Sequence, residues 1–414
     1  MDFIFDCFYE DTFDKIARSG LHDRNSRRDV LDHLNAIISG CSDGQNVKTD
    51  EVARLAVLAA VKYHREKKEA NGDVCMMGKY HNILYIALRT CWEWGVRDSE
   101  VVVVLLEEIY SCEKTFERLF LGALFGPNAP HFIAGWRSDF RDQDENTRAM
   151  VYFLEHATSL GFELPVFINR HEEEKMVRFI DIPIESCGKS SPLRVALQAS
   201  APDILMILLR YGADPLPPDG GSAPVIALLD KLLEKERRYT YQLVSCLRIL
   251  LSNISLIELP CKVRSRKSMF IEKYGVLFTD KIIKVEQVFG VMSLKHLCRC
   301  RIRDLMRRNS QLPGGIDTLR IPRKLQRYVH CVPEEAVPRH SIPYYSRHNL
   351  SRVDSNCDLL QRIEGNLLKL NTKNKVESLK ACFNSLSLPI RIHLSRPKKK
   401  KKKKTKSKEE CAPP

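Results

Sequence analysis

The chain has 414 residues and a formal net charge of +14, a length that favours two or three domains with a core of their own. Hydrophobic residues at 44% and charged residues at 29% are ordinary for globular proteins, and the lack of any apolar run of about 18 residues excludes a membrane-spanning reading. The opening MDFIFDCFYEDTFD has neither the basic region nor the cleavage site of a secretory signal, so a reducing cell interior is expected. The fourteen cysteines suit that compartment, being scattered and without a CxxC pair. No metal site and no cofactor are expected from that spacing.

In chain order, residues 1–50 are mixed and end in a polar stretch, SGCSDGQNVKTD, that reads as a loop. Thr49 and Asp50 then stand ahead of Val52, Leu55, Leu58 and Ala59, the pattern of a capped helix. Apolar residues at three- and four-residue spacing predict further helices over 84–92, 100–109, 115–124 and 147–160. Strand patterns are confined to short stretches, Val166 to Asn169 and Val177 to Ile184. The fold class is therefore mostly α.

The clearest local unit is SPLRVALQASAPDILMILLRYGADP, residues 191–215. Ser191 can cap a helix with Pro192 in its first turn, and Leu193, Ala196 and Leu197 share one face. A second helix carries Ile204, Ile207 and Leu208 and stops at Gly212, a residue suited to a left-handed cap. This resembles an ankyrin repeat. Pro192, Leu193, Ala196, Leu208, Leu209, Gly212, Ala213 and Asp214 match that family's pattern, while Arg194 replaces its His and Ser191 its Thr. A degenerate second unit opens at Pro224 and closes on Leu250 and Leu251. Fainter matches lie at Asn82 to Leu88 with Ser99 to Ile109, and near 150–164, where a plain helical bundle is the competing reading. Stacked repeats of this kind usually bind other proteins.

Much of the charge is local. Residues 293–329 and 396–414 each carry a net +8, leaving about −2 for the rest, so a large phosphate-tracking domain is not indicated and nucleic acid is an unfavoured partner. Within the first of these segments, Leu294, Leu297, Cys298, Ile302 and Leu305 form one helical stripe among basic residues. This places the stripe on a narrow face with the remainder solvated. Leu312-Pro313-Gly314-Gly315 breaks the helix, and Ile316, Leu319, Ile321, Leu325, Tyr328 and Val329 follow.

The segment resembles a SOCS box. Ser293, Leu294, Cys298 and Ile302 stand at the spacing of its elongin-binding half, and the resemblance implies that Leu294 enters a pocket of elongin C with Cys298 packed beside it. Leu319, Ile321, Pro322, Leu325 and Tyr328 correspond to its cullin-binding half. Arg320 stands where that half has its first proline, which bears on the strength and choice of the cullin contact. Together the two resemblances point to the ankyrin repeat and SOCS box family. They imply a non-enzymatic substrate receptor that binds an unidentified target, elongins B and C, and cullin-5 with its RING partner. An ankyrin scaffold whose box only completes the fold, and a basic protein associated with nucleic acid, are the alternatives.

The organisation expected is an N-terminal segment (1–50), degenerate repeats (51–165), ankyrin-like repeats (185–256), the box (290–331), an extension with a helix around 359–370 (332–395) and a disordered lysine tail (396–414). The tail reads either as a nuclear import signal or anionic-surface contact on an otherwise cytoplasmic protein, or as a plain solvated end. Partial catalytic motifs fail: Gly188-Lys189-Ser190 lacks the upstream glycine of a phosphate loop, and the run from His171 has Lys175 where a zincin has its second His. His296 is expected at the surface.

Overall fold

The structure, a computed structural model, describes residues 2–45, 47–127, 138–167, 174–216, 223–257, 266–290 and 292–331. Asn169, His171, the extension and the lysine tail lie outside the described residues. Mostly helical architecture is observed, with one two-stranded sheet among the described residues. None of the described helices is long and apolar enough to cross a membrane.

The first helices are α1 (Asp2–Lys15), α2 (Arg24–Gln45), α3 (Thr49–Glu69), α4 (Lys79–Trp94), α5 (Ser99–Glu113), α6 (Glu117–Phe125) and α7 (Gln143–Ser159). Two expectations are corrected here. The polar stretch from Ser39 to Gly44 is the last part of α2, not a loop. Gly40 and Gly44 each cost about 1 kcal/mol in a helix, but Val30, Leu31, Leu34 and Ile38 on the same helix are buried, at about 1.5–3 kcal/mol per large side chain. Tertiary packing outweighs propensity. At α3 the cap residue is Lys48, without a side-chain bond, and Thr49 and Asp50 belong to the first turn. Asp50 and Glu51 there meet the positive end of the helix dipole.

Helix α3 is the hub of this half, packing on α1, α2, α4 and α5. Its small residues Ala53, Ala56 and Ala60 are fully buried, which lets neighbouring backbones approach closely. Asp98 caps α5 by accepting from the amides of Glu100 (3.0 Å) and Val101 (3.3 Å), and Asp142 caps α7 by accepting from Glu145 (2.8 Å).

Strands β1 (Glu163–Phe167) and β2 (Glu174–Arg178) pair antiparallel, with Leu164 opposite Val177. The strand expected through Ile184 ends at Arg178, because Phe179–Asp181 turns into a short 3₁₀ segment that buries Phe179 and Ile180. Beyond it come α8 (Pro192–Gln198), α9 (Pro202–Arg210), α10 (Pro224–Leu233) and α11 (Tyr241–Leu251). These form two helical hairpins: α8 packs on α9 and α10 on α11, while α8 also meets α10 and α9 meets α11. The hairpins are thus stacked like on like.

Ser191 Oγ accepts from the Arg194 amide at 3.3 Å, Pro192 sits at the start of α8, and Gly212 at φ 90° ends α9. The chain continues through α12 (Arg266–Thr279), α13 (Val285–Phe289), α14 (Leu294–Arg308) and α15 (Arg323–Val329). One buried apolar cluster runs from Phe5 to Val288, and a second, small one joins Met306, Leu312, Ile316 and Val329.

Candidate functional site

Helix α14 starts at Ser293, whose Oγ accepts from the His296 amide at 3.3 Å. From there several of its residues are placed against their polarity. Leu294 is 76% exposed, Cys298 and Leu305 are exposed, and Leu297 and Ile302 are only partly covered. His296, Arg299 and Arg303 are buried. The solvated basic face expected from the sequence holds for Lys295, Arg301 and Arg308, which are exposed, and is corrected for Arg299 and Arg303, as is the surface position expected for His296.

The reason lies in what the polar face meets. Helices present unpaired carbonyls at their C-terminal ends, and cations are favoured there by the dipole. Arg303 reaches the last turn of α9, donating from Nη2 to the Leu209 carbonyl and from Nη1 to the Val329 carbonyl at 3.0 Å. His296 Nε2 donates to the Ile254 carbonyl just beyond α11 at 2.8 Å, and Arg299 Nη2 donates to His296 Nδ1 at 2.9 Å. Arg307 Nη1 pairs with Asp214 at 2.8 Å, and its Nη2 with Asp304 at 2.9 Å. His296, Arg299, Arg303 and Arg307 therefore dock the helix on the ends of the two hairpins, and Leu294, Cys298 and Leu305 are turned outward, while Ile302 packs on the small second cluster.

Titration follows this geometry. Burial, with the Arg299 charge adding to it, holds His296 below its ordinary value, so the imidazole is neutral and can accept from Arg299. Burial also lowers His330, although its Nε2 lies 2.9 Å from Asp317. At Arg307, burial opposes the charge but Asp304 and Asp214 outweigh it and raise the pKa.

After α14, the expected break at 312–315 is a turn leading into a 3₁₀ segment, Gly314–Ile316. Leu319 and Ile321 pack on the small second cluster. Pro322 and Leu325 are exposed, and Arg320 beside them is exposed too. Tyr328 is half-buried, its ring covered by Lys295 Nζ at 4.1 Å and by the Arg299 guanidinium at 4.2 Å, both within cation–π range.

The expected elongin-binding residues Ser293, Leu294, Cys298 and Ile302 thus fall on one helix, exposed except for Ile302. Of the cullin-binding set, Leu319, Ile321 and Tyr328 are partly used inside the segment, leaving Pro322 and Leu325 outward. Pro192, Leu193, Ala196, Leu208 and Leu209 are buried in the hairpin stack. The docking face was missed. Its signal was present, since His296, Arg299, Arg303 and Arg307 recur at three- and four-residue spacing, a helical stripe written in basic residues. The outward ridge of Leu294, Cys298 and Leu305 on an anchored helix offers recognition by shape and desolvation.

Comparison with known families identifies this region: residues 290–330 match the family model of the SOCS box. The match begins at the end of α13 and covers α14 and α15. The ankyrin resemblance upstream is not confirmed by a family match, and no curated protein and no solved structure matches the chain.

Proposed function

We propose that the chain is the substrate-recognition subunit of an elongin–cullin–RING ubiquitin ligase. In this reading the SOCS box docks on elongin C through Leu294, Cys298 and Ile302, and the helical hairpins hold the target. Elongin B accompanies elongin C, and cullin-5 with its RING partner meets the surface around Pro322 and Leu325. The observation that carries the reading is the outward stripe on α14 within the SOCS box match. A hydrophobic surface rimmed by charge calls for a partner, and here the helix is held by its other face.

The chemistry belongs to the conjugating enzyme brought by the RING protein. The receptor supplies proximity: tethering a target beside that enzyme converts a bimolecular encounter into an intramolecular one, with gains on the order of 10² to 10⁴ for linkage of this kind. The hairpins of α8 to α11 fit an ankyrin-type stack, and their Pro192, Leu193, Ala196 and Gly212 occupy the places that such a repeat uses.

The scaffold alternative requires Leu294 and Cys298 to be buried within the chain, whereas both are exposed. For the nucleic-acid alternative, Arg299, Arg303 and Arg307 are engaged inside the protein while Arg320, Arg323, Lys324 and Arg327 are exposed; that reading predicts binding that falls steeply with salt and survives Leu294→Ala. The deciding experiment is co-purification with elongins B and C, comparing wild type with the Leu294→Ala, Cys298→Ala variant at matched helicity. Capture by wild type alone supports the receptor reading. Equal capture by both, or by neither, overturns it.

A further inference from the structure

Away from the box, α3, α4 and α5 converge on four side chains of a different chemistry. His64 lies in the last turns of α3, Cys75 in the loop after it, His81 in the first turn of α4 and Cys112 at the end of α5. His64 Nε2 is 3.4 Å from Cys75 Sγ and 3.6 Å from Cys112 Sγ, and His81 Nδ1 is 3.8 Å from Cys75 Sγ. All four ligand-type atoms lie within 4.8 Å of one another.

These separations have a meaning for coordination. Bonds of about 2.3 Å to sulfur and 2.0–2.1 Å to nitrogen at a tetrahedral angle place N and S about 3.5 Å apart. The observed distances bracket that value. Both imidazoles are buried, and each uses its second nitrogen on a carboxylate: His64 Nδ1 lies 2.9 Å from Glu108 Oε1 and His81 Nε2 lies 2.8 Å from Glu113 Oε1. Carboxylates in these positions hold the outer nitrogens as N–H donors, which turns the inner lone pairs toward the two sulfurs.

The carboxylates are themselves fixed. Glu108 is paired with Arg65 at 2.6 Å and Glu113 accepts from the Tyr85 hydroxyl at 2.7 Å. The loop bearing Cys75 passes through positive φ at Gly72, Asp73, Met77 and Gly78, a costly path for Asp73 and Met77. That path brings the Met77 amide to Cys75 Sγ at 3.4 Å, a donor that stabilises a thiolate.

We propose that His64, Cys75, His81 and Cys112 bind one zinc ion in a closed structural site. Two nitrogen and two sulfur donors in tetrahedral array select zinc among the divalent metals. Four protein donors leave no open position, so the ion organises rather than catalyses. On binding, Cys75 and Cys112 each release a proton; two thiolates and two neutral imidazoles then balance the 2+ charge. The ion ties the loop of residues 70–78 to α3, α4 and α5 and so fixes the half of the molecule in front of the hairpins. This inference is independent of elongin binding.

The test is the metal content of the full-length chain purified without chelators, by plasma mass spectrometry, with cobalt(II) substitution as the spectroscopic readout. One zinc per chain is expected, with intense visible cobalt bands and a thiolate charge-transfer band. The Cys75→Ser, Cys112→Ser variant should retain under a tenth of the metal, while Cys298→Ser retains it all. Because the double variant could misfold, Glu113→Gln serves beside it: all four ligands remain, and zinc affinity against a competing chelator should fall 10- to 100-fold at unchanged helicity. A folded wild-type chain that takes up no zinc, iron in its place, weak octahedral cobalt bands, or an unaltered zinc content in a folded double variant would each overturn the proposal.

Discussion

Leu294 and Leu208 are both leucines in helices, yet the fold gives them opposite duties. Leu208 is fully buried between the hairpins, so Leu208→Ala should cost about 2–5 kcal/mol through lost burial and a residual cavity, read as a lowered midpoint in urea. Leu294 is largely in solvent, and Leu294→Ala should leave stability within about 0.5 kcal/mol of wild type while elongin capture is lost. A large stability loss at Leu294 would mean that the side chain packs within the chain. His296 offers a second residue-level test, through pH. Its folded pKa lies below the ordinary 6.5 because burial and Arg299 disfavour the imidazolium. A depressed folded value means that the unfolded chain takes up the proton first, so this contribution is present above pH 6.5 and is lost as pH falls below it. Protonation would also leave Arg299 donating to a group that can no longer accept. Thermal midpoints followed downward from pH 7.5 should therefore fall through this window, and His296→Asn should flatten the slope; an unchanged slope would put the titration elsewhere.

At the scale of the element, α14 shows what a sequence says and what it leaves unsaid. The helix itself was legible, since Leu294, Leu297, Cys298, Ile302 and Leu305 keep helical spacing and Ser293 caps them. Its orientation was not. The rule that an apolar stripe faces inward fails for a helix that leaves Leu294, Cys298 and Leu305 in solvent, and Arg303 takes the inner place because the ends of α9 and α15 offer carbonyls there. The end of α2 failed for a related reason: Gly40 and Gly44 argue locally for a loop, but Ile38 and the residues one and two turns before it are pinned in the core. The four side chains around His64 were illegible for another reason again, because they come from three helices and a loop, and no local spacing records their meeting. The Ser191 cap and the stop at Gly212 were readable because both are properties of a few adjacent residues.

Two changes test these elements, one in α14 and one in the turn that ends α9. In Arg303→Leu the carbonyls of Leu209 and Val329 lose their donor, and an unsatisfied buried group costs about 1–3 kcal/mol. Hydrogen exchange should rise over residues 294–329 while the α8 to α11 core stays protected. Gly212 holds φ 90°, and a Cβ there would meet Arg178, Leu312 and Arg307 at 3.4 to 3.6 Å, so space is adequate but the backbone is not. Gly212→Ala should then cost about 1–2 kcal/mol, the left-handed penalty of an ordinary residue. A neutral result would show that the turn relaxes to another conformation.

For the whole molecule, the question is whether the box and the hairpins respond as one body. The large cluster ends at Val288 and the small one begins at Met306, so apolar packing alone divides them. Polar bonds cross that division: Arg303 to Leu209, His296 to Ile254 and Arg307 to Asp214. Anything that binds only the folded state stabilises it by mass action, about 2.7 kcal/mol at a ligand concentration one hundred times Kd. If those bonds couple the two parts, elongins B and C at that excess should slow amide exchange in α9 and α11 as well as in α14. In Arg303→Leu the gain should shrink to the box, and in Leu294→Ala it should vanish throughout with intrinsic stability unchanged. Slowing confined to α14 in the wild-type chain would show that the box opens independently of the hairpins, and the basic face would then be a docking contact without cooperative consequence.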